Sequence, residues 1–232
     1  MKISVIGTGY VGLITGACFA ELGNDVTCVD IVKEKVDLIN SGESPIHEMG
    51  LDELLEKHIG KNLKATTDLE SAVLGSDITF ICVGTPDAPD GGIDLKYIKS
   101  ASEGIGKALA KKGGYHVVVD KSTVVPGTTD SVILPIIEGA SGKKAREGFG
   151  VAMNPEFLRE GLAIEEYHKQ LRALGLNVLP TGRFDGLKLH VLLVVLAYLL
   201  LHSVERILQC IGKSVITIMR AVCVAGLVPG PS

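Results

Sequence analysis

The sequence shows no basic stripe. Its 23 basic residues are interspersed with 27 acidic ones, giving a net charge of −4 and a pI near 5.9. Binding along a phosphate backbone needs a basic stripe, so nucleic acid is disfavoured as the main partner. Paired cysteines are missing too: Cys18, Cys28, Cys82, Cys210 and Cys223 form no CxxC and sit mostly in apolar runs, the pattern of buried, reduced thiols in a cytosolic protein. No basic segment precedes the first apolar run and no small-residue cleavage site follows it, so no secretory signal is expected. A bilayer-spanning run of about 20 apolar residues is absent as well. The run Val191–Leu201 (VLLVVLAYLLL) lies between His190 and His202 and reads as a buried helix, with membrane contact as the lesser alternative.

What is present is a chain of 232 residues, 46% of them hydrophobic, enough for one large domain or one domain with a smaller appendage. Up to about residue 160, short apolar runs alternate with amphipathic stretches. KISVIG, DVTCVD, LKATTD, SDITFICVG, YHVVVDKS and FGVAMNPEF read as strands. Between them, YVGLITGACFAELG, KEKVDLINSG, LDELLEKHIG, LESAVLG, DLKYIKSASEGIGKALAKKG and TDSVILPIIEG read as helices, with Asp68 and Asp94 as caps. Strands joined by helices of this length form right-handed crossovers, and near-continuous apolar strands are covered on both faces. The fold class expected is α/β, a doubly wound parallel sheet. After about residue 165 this rhythm is lost, leaving an atypical, Leu- and Val-rich tail in which helices are plausible.

Gly7, Gly9 and Gly12 follow the first strand directly. In a dinucleotide-binding turn the first glycine permits the tight turn, the second lets the chain approach a pyrophosphate, and the third packs helix on strand. The amides and dipole of the helix N-terminus then face the phosphates. Asp30 ends the second strand, 18 residues after Gly12. An acid there accepts hydrogen bonds from the adenosine ribose and repels a 2′-phosphate, which selects NAD over NADP. S-adenosylmethionine is a distant competitor.

Three later motifs end strands or open loops. Val83, Gly84, Thr85 and Pro86 end the fourth strand in a Gly- and Pro-rich loop, where a doubly wound sheet lines its crevice. In DKSTVVPGTT, Ser122 or Thr123 serves equally well as a helix cap or as a catalytic hydroxyl. In NPEFLREG, Glu156 and Glu160 stand one helical turn apart beside Arg159. That spacing suits general acid–base work, although a solvated helix start explains it as readily.

Taken together, GTGYVG, VD with Lys35 five residues on, SGESPIHEMGLDELL, VGTP with DGGIDLKYI, KSTVVPGT and NPEFLREG resemble the UDP-glucose/GDP-mannose dehydrogenase family, in register over residues 1 to about 166. The resemblance implies a Rossmann domain and oxidation of the C6 alcohol of a nucleotide sugar to a uronic acid, with two NAD+ reduced per turnover. It implies a catalytic cysteine in a later domain that holds the sugar as a thiohemiacetal and then a thioester. By the same resemblance Gly7, Thr8, Gly9, Tyr10, Val11, Gly12, Asp30, Lys35, Val83, Gly84, Thr85, Pro86, Thr123 and Glu160 contact the cofactor, while Glu156, Phe157, Leu158, Arg159 and Glu160 touch the sugar. Glu156 would act in thioester hydrolysis; Thr123 and Glu160 would order the water or ammonium group near the reacting carbon. No metal is implied. The intact family enzyme would be a cytoplasmic homo-oligomer serving polysaccharide biosynthesis.

The family's NPDRIVIG-like strand, its long central helix with Lys and Asn, and its GGxCxPKD element have no counterpart here, and neither Cys210 nor Cys223 stands in the nucleophile's context. The expectation is an NAD-binding domain over residues 1–165 and a tail over 166–232 from a frameshifted or truncated frame. Alternatives are a different NAD-dependent dehydrogenase of hydroxyacid type, a non-catalytic NAD-binding module, and a membrane-associated fragment held by its apolar tail.

Overall fold

The structure, a computed structural model, describes residues 1–89, 91–154, 158, 161, 163 and 164. All lie in the first of two units into which the chain divides, Met1–Arg172 and Ala173–Ser232. The apolar run Val191–Leu201, Cys210, Cys223 and the expected boundary at 165/166 lie outside the described residues.

Six strands, β1 (Lys2–Ile6), β2 (Asp25–Val29), β3 (Leu63–Thr66), β4 (Ile78–Ile81), β5 (His116–Asp120) and β6 (Phe149–Met153), form one sheet in the order β3-β2-β1-β4-β5-β6. Every neighbouring pair is parallel. The apolar runs end up central because both faces are covered: all four residues of β4 are buried, as are the last four of β1. The order reverses between β1 and β4, which opens a crevice at the carboxyl ends of these two strands.

Helix α1 (Tyr10–Glu21) lies between the sheet and α3 (Leu51–His58). It therefore buries every residue from Gly12 to Cys18 rather than a single stripe. On the other face α5 (Lys96–Lys111) buries Ile98, Ala101, Ser102, Ile105, Ala108 and Leu109, the spacing of an amphipathic helix. All of these but Ser102 join Ile81, Val118, Ile137 and Phe149 in one core. Truncating one of its large members to alanine costs about 2–5 kcal/mol. At the sheet edge, the Asn40 side chain at the end of α2 (Lys33–Asn40) bonds both backbone groups of Ala65, at 2.8 and 2.9 Å, in place of a neighbouring strand.

Asp68 caps α4 (Leu69–Leu74), its carboxylate accepting from the Ser71 amide. Asp94 accepts from the Lys96 amide at 2.9 Å, although the capping position itself belongs to Leu95, one residue later than expected. The stretch expected as one helix over TDSVILPIIEG divides into a π-helical turn, Thr129–Ile133, and α6 (Leu134–Ser141). Pro135 stands at the start of α6. It has no N–H for an α-helical bond, so the ladder changes register there. Among the described residues, no helix is long and apolar enough to cross a membrane, and no group of three or more His, Cys, Asp or Glu is placed to hold a metal.

Candidate functional site

The turn after β1 is built by close approach. Gly7 has φ +100°, and a Cβ on it would lie 2.4 Å from the Cys82 carbonyl oxygen. A Cβ on Gly12 would sit 1.9 Å from the Gly7 oxygen, so helix α1 meets the turn without room for a methyl group. Gly9 differs: it is the N-cap of α1, and a Cβ there would have no heavy atom within 4 Å. Open space thus lies directly before the first turn of α1, where a helix N-terminus presents its backbone amides. These are the features an anion needs from a helix N-terminus.

Asp30 borders this turn. Its Oδ2 accepts from both the amide and the hydroxyl of the fully buried Thr8, at 2.9 and 2.5 Å, and its Oδ1 accepts from the Val32 amide at 3.0 Å. Burial raises the Asp30 pKa, but the Thr8 hydroxyl, the two amides and the charge of Lys35 outweigh it, so the carboxylate titrates below its ordinary range. A carboxylate has about four acceptor positions. The three bonds leave about one acceptor position, on Oδ1. Lys35 stands on α2 within electrostatic reach of the acid.

The loops after β4 and β5 are tied together beside the turn. The Val83 amide donates to Ser122 Oγ at 3.1 Å, and the Thr85 hydroxyl donates to the Thr123 carbonyl at 2.8 Å. Gly84, Pro86 and Thr123 are exposed at this rim. Ser122 caps no helix: besides receiving Val83 it donates to the Ile81 carbonyl at 3.3 Å, which overturns the capping alternative. Beneath it Asp120 is buried, accepting from the Ser122 amide at 3.1 Å and the Thr129 hydroxyl at 3.2 Å. Burial pushes its pKa up to about 6 despite these two bonds.

At the end of β6 the ammonium of Lys121 donates to Asn154 Oδ1 at 2.9 Å, while the Asn154 amide donates to the Asp120 carbonyl at 2.8 Å. The chain thus leaves the sheet towards NPEFLREG from a fixed point. Leu158 is half-buried; Glu156, Phe157, Arg159 and Glu160 lie outside the described residues.

One residue not singled out above proves central. Glu48, only 6% exposed, accepts from the Tyr10 hydroxyl at 2.5 Å and the Gly161 amide at 2.7 Å on Oε2, and from the Ala163 amide at 2.9 Å on Oε1. Its only sequence signal is an acid inside SGESPIHEMGLDELL, just ahead of α3.

The profile of the UDP-glucose/GDP-mannose dehydrogenase family, NAD binding domain, matches residues 1–183. The chain belongs to this family. It is 52% identical over 167 residues to a UDP-glucose 6-dehydrogenase of Haloferax volcanii, covering 72% of this chain and 39% of that enzyme. It is 50% identical over 169 residues to a GDP-mannose 6-dehydrogenase of Pseudomonas aeruginosa, covering 72% of this chain and 38% of that enzyme. Among solved structures, a ternary complex of GDP-mannose dehydrogenase from P. aeruginosa superposes with a TM-score of 0.71 at 49% identity, over 72% of this chain and 38% of that one. The chain thus spans about two fifths of the length of the relatives it matches, and the matched stretch carries the family's NAD-binding domain. The open turn at Gly9, the N-terminus of α1 and the acid at Asp30 fit that cofactor.

Proposed function

We propose that this chain supplies the cofactor-binding part of a nucleotide-sugar 6-dehydrogenase, which oxidises the C6 alcohol of UDP-glucose, GDP-mannose or a relative to the uronate. The observation that carries this reading is the Thr8–Asp30 pair beside the open turn at Gly9. It supports the reading because a carboxylate able to accept from a ribose hydroxyl lies beside a helix N-terminus suited to a pyrophosphate. In this reading Gly7 to Gly12 receive the pyrophosphate, Asp30 and Lys35 the adenosine ribose, and Val83 to Pro86 with Thr123 the nicotinamide half. When bound, NAD+ supplies the hydride acceptor. Phe157, Leu158 and Arg159 hold the sugar together with Glu156 and Glu160. Thr123 and Glu160 order the water near the reacting carbon, and Glu156 serves its hydrolytic step. Such placement of reacting groups can supply about 7–11 kcal/mol of the barrier.

Neither Cys210 nor Cys223 is assigned as the nucleophile. The same proposal divides the chain at 165/166 and places it in the cytoplasm, as part of a homo-oligomer that makes uronate for polysaccharide.

The test separates binding from turnover. Calorimetric titration with NAD+ is expected to show a single site. NADH formation is then followed at saturating NAD+ with UDP-glucose and, in parallel, GDP-mannose. NADH formed with one sugar and not the other names the substrate; a chain that binds no NAD+ overturns the reading. NAD+ binding without turnover favours the non-catalytic module, a second reading supported by the 39% and 38% of the relatives' lengths that the chain covers.

A further inference from the structure

Among the described residues, Glu48 bonds one that is assigned to the nucleotide, Tyr10, and it also bonds the chain at the end of the sugar-assigned segment. On one side it receives the hydroxyl of Tyr10, the first residue of α1 and the residue whose amide opens the phosphate turn. On the other it receives the amides of Gly161, the last residue of NPEFLREG, and of Ala163, two residues further on. The Gly161 amide also lies 3.1 Å from the Tyr10 oxygen, so phenol, carboxylate and amide form one closed cluster.

The cluster joins partners far apart in the chain: Tyr10 is 38 residues from Glu48, and Gly161 is 113. The electrostatics agree with the geometry. Burial raises the Glu48 pKa, but the Tyr10 hydroxyl and the amides of Gly161, Ala163 and Ile164 more than offset it, so the group stays a carboxylate, able only to accept. Behind it, Ile164 reaches to within 3.9 Å of a Cβ built on Gly50, the residue that opens α3.

We propose that Glu48 is a positioning residue that couples occupancy of the dinucleotide turn to the placement of the chain at Gly161 and Ala163, an inference that rests on reading the preceding segment as sugar-contacting. A pyrophosphate seated on the first turn of α1 immobilises Tyr10. The Tyr10–Glu48 bond then forms against less lost freedom, and the Gly161 and Ala163 amides are held more of the time. Linkage requires the reverse as well: holding those amides raises affinity for NAD+ by the same factor. Cofactor thus prepares the sugar segment before the sugar arrives.

The experiment uses the full chain and NAD+ alone. Residue-resolved hydrogen exchange of the Gly161 and Ala163 amides is measured with and without saturating NAD+, in the native protein and in Tyr10→Phe. That variant leaves both amides on the carboxylate but takes the Tyr10 oxygen from Gly161 as well as from Glu48, so the Ala163 amide, which bonds Glu48 Oε1, is the cleaner reporter of the link to the turn. NAD+ is expected to slow both amides about fivefold or more in the native chain, the low end of ordinary coupling energies, and much less in Tyr10→Phe. In parallel, NAD+ affinity is measured for Tyr10→Phe, Glu48→Gln and the double variant. Coupled residues give a double variant no weaker than the poorer single one, whereas a purely structural Glu48 gives losses that add. Additive losses, or equal slowing in native and Tyr10→Phe proteins, overturn the inference while leaving NAD+ binding intact. Failure of the functional reading shows separately, as a native chain that binds no NAD+, and removes the coupling with it. If Glu48→Gln does not fold, the exchange comparison decides alone.

Discussion

Thr8 and Asp30 are joined twice, the amide and the hydroxyl of one residue both donating to the same carboxylate oxygen of the other, at 2.9 and 2.5 Å. The turn after β1 and the end of β2 therefore move as one unit. Thr8→Val keeps the amide bond and the shape but removes the hydroxyl. A hydrogen bond to a charged group is worth about 1.5–3 kcal/mol, so NAD+ affinity is expected to fall about tenfold. Calorimetric titration checks this; an unchanged dissociation constant would show that the acid keeps its place without the hydroxyl.

Gly9 and Gly12 separate binding from folding. A methyl group on Gly12 meets the Gly7 oxygen at 1.9 Å, whereas one on Gly9 meets nothing within 4 Å. Gly12→Ala is expected to cost at least about 1–3 kcal/mol of stability, the usual range for an overpacked site. Gly9→Ala should cost under about 1 kcal/mol, as a change at an uncharged N-cap does, yet lose NAD+ binding because the methyl fills the space before the amides. Urea unfolding and titration of both variants check the pair. The prediction fails if Gly9→Ala binds normally.

Asp120 makes stability depend on pH. Its folded-state pKa, pushed up to about 6 by burial, lies above the ordinary 3.8. The neutral form is thus favoured by the fold, and the stability it brings is full below about pH 4 and lost as pH rises through 6. The loss is about 3 kcal/mol at most. His116 acts in the opposite sense: burial pushes its pKa down to about 3, so it costs stability as pH falls below 6.5. The native curve mixes the two. Asp120→Asn isolates the first, and the difference between native and variant stability is expected to change by about 1–3 kcal/mol between pH 4 and 7. A constant difference across that range would refute the assignment.

Cys18 and Cys28 are fully buried, and burial pushes both thiols up to about 12, helped at Cys18 by Glu21 and Glu48. Only a thiolate reacts, so at pH 8 about one molecule in ten thousand is competent at each site. Iodoacetamide is expected to leave both unmodified in the folded chain and to label both in urea, as read by peptide mass spectrometry. Labelling in the folded state would show that α1 opens.

How much was readable beforehand varies from residue to residue. Gly7, Gly9, Gly12 and Asp30 could be placed because the constraint on each is local: a turn, a helix start, a strand end. Asp68 was found as a cap for the same reason, and Asp94 was displaced by one residue because helix ends are set by the last bond that forms. Ser122 was misjudged as a capping candidate. Its partners, Val83 and Ile81, lie on the neighbouring strand's end, about 40 residues away in sequence. Glu48 left no trace beyond its motif, since its bonds reach Tyr10, Gly161 and Ala163.

The sequence by itself determined the alternation of buried strands and amphipathic helices, and with it the parallel sheet and the open turn. Apolar period and glycine geometry act between near neighbours, so they survive without the fold. Only the tertiary structure decided which oxygen of Asp30 is occupied, how burial raises Asp120, and that one carboxylate joins the start of α1 to the chain at the end of NPEFLREG. Those outcomes depend on which distant groups are brought within 3 Å and shielded from water, and no local pattern encodes that.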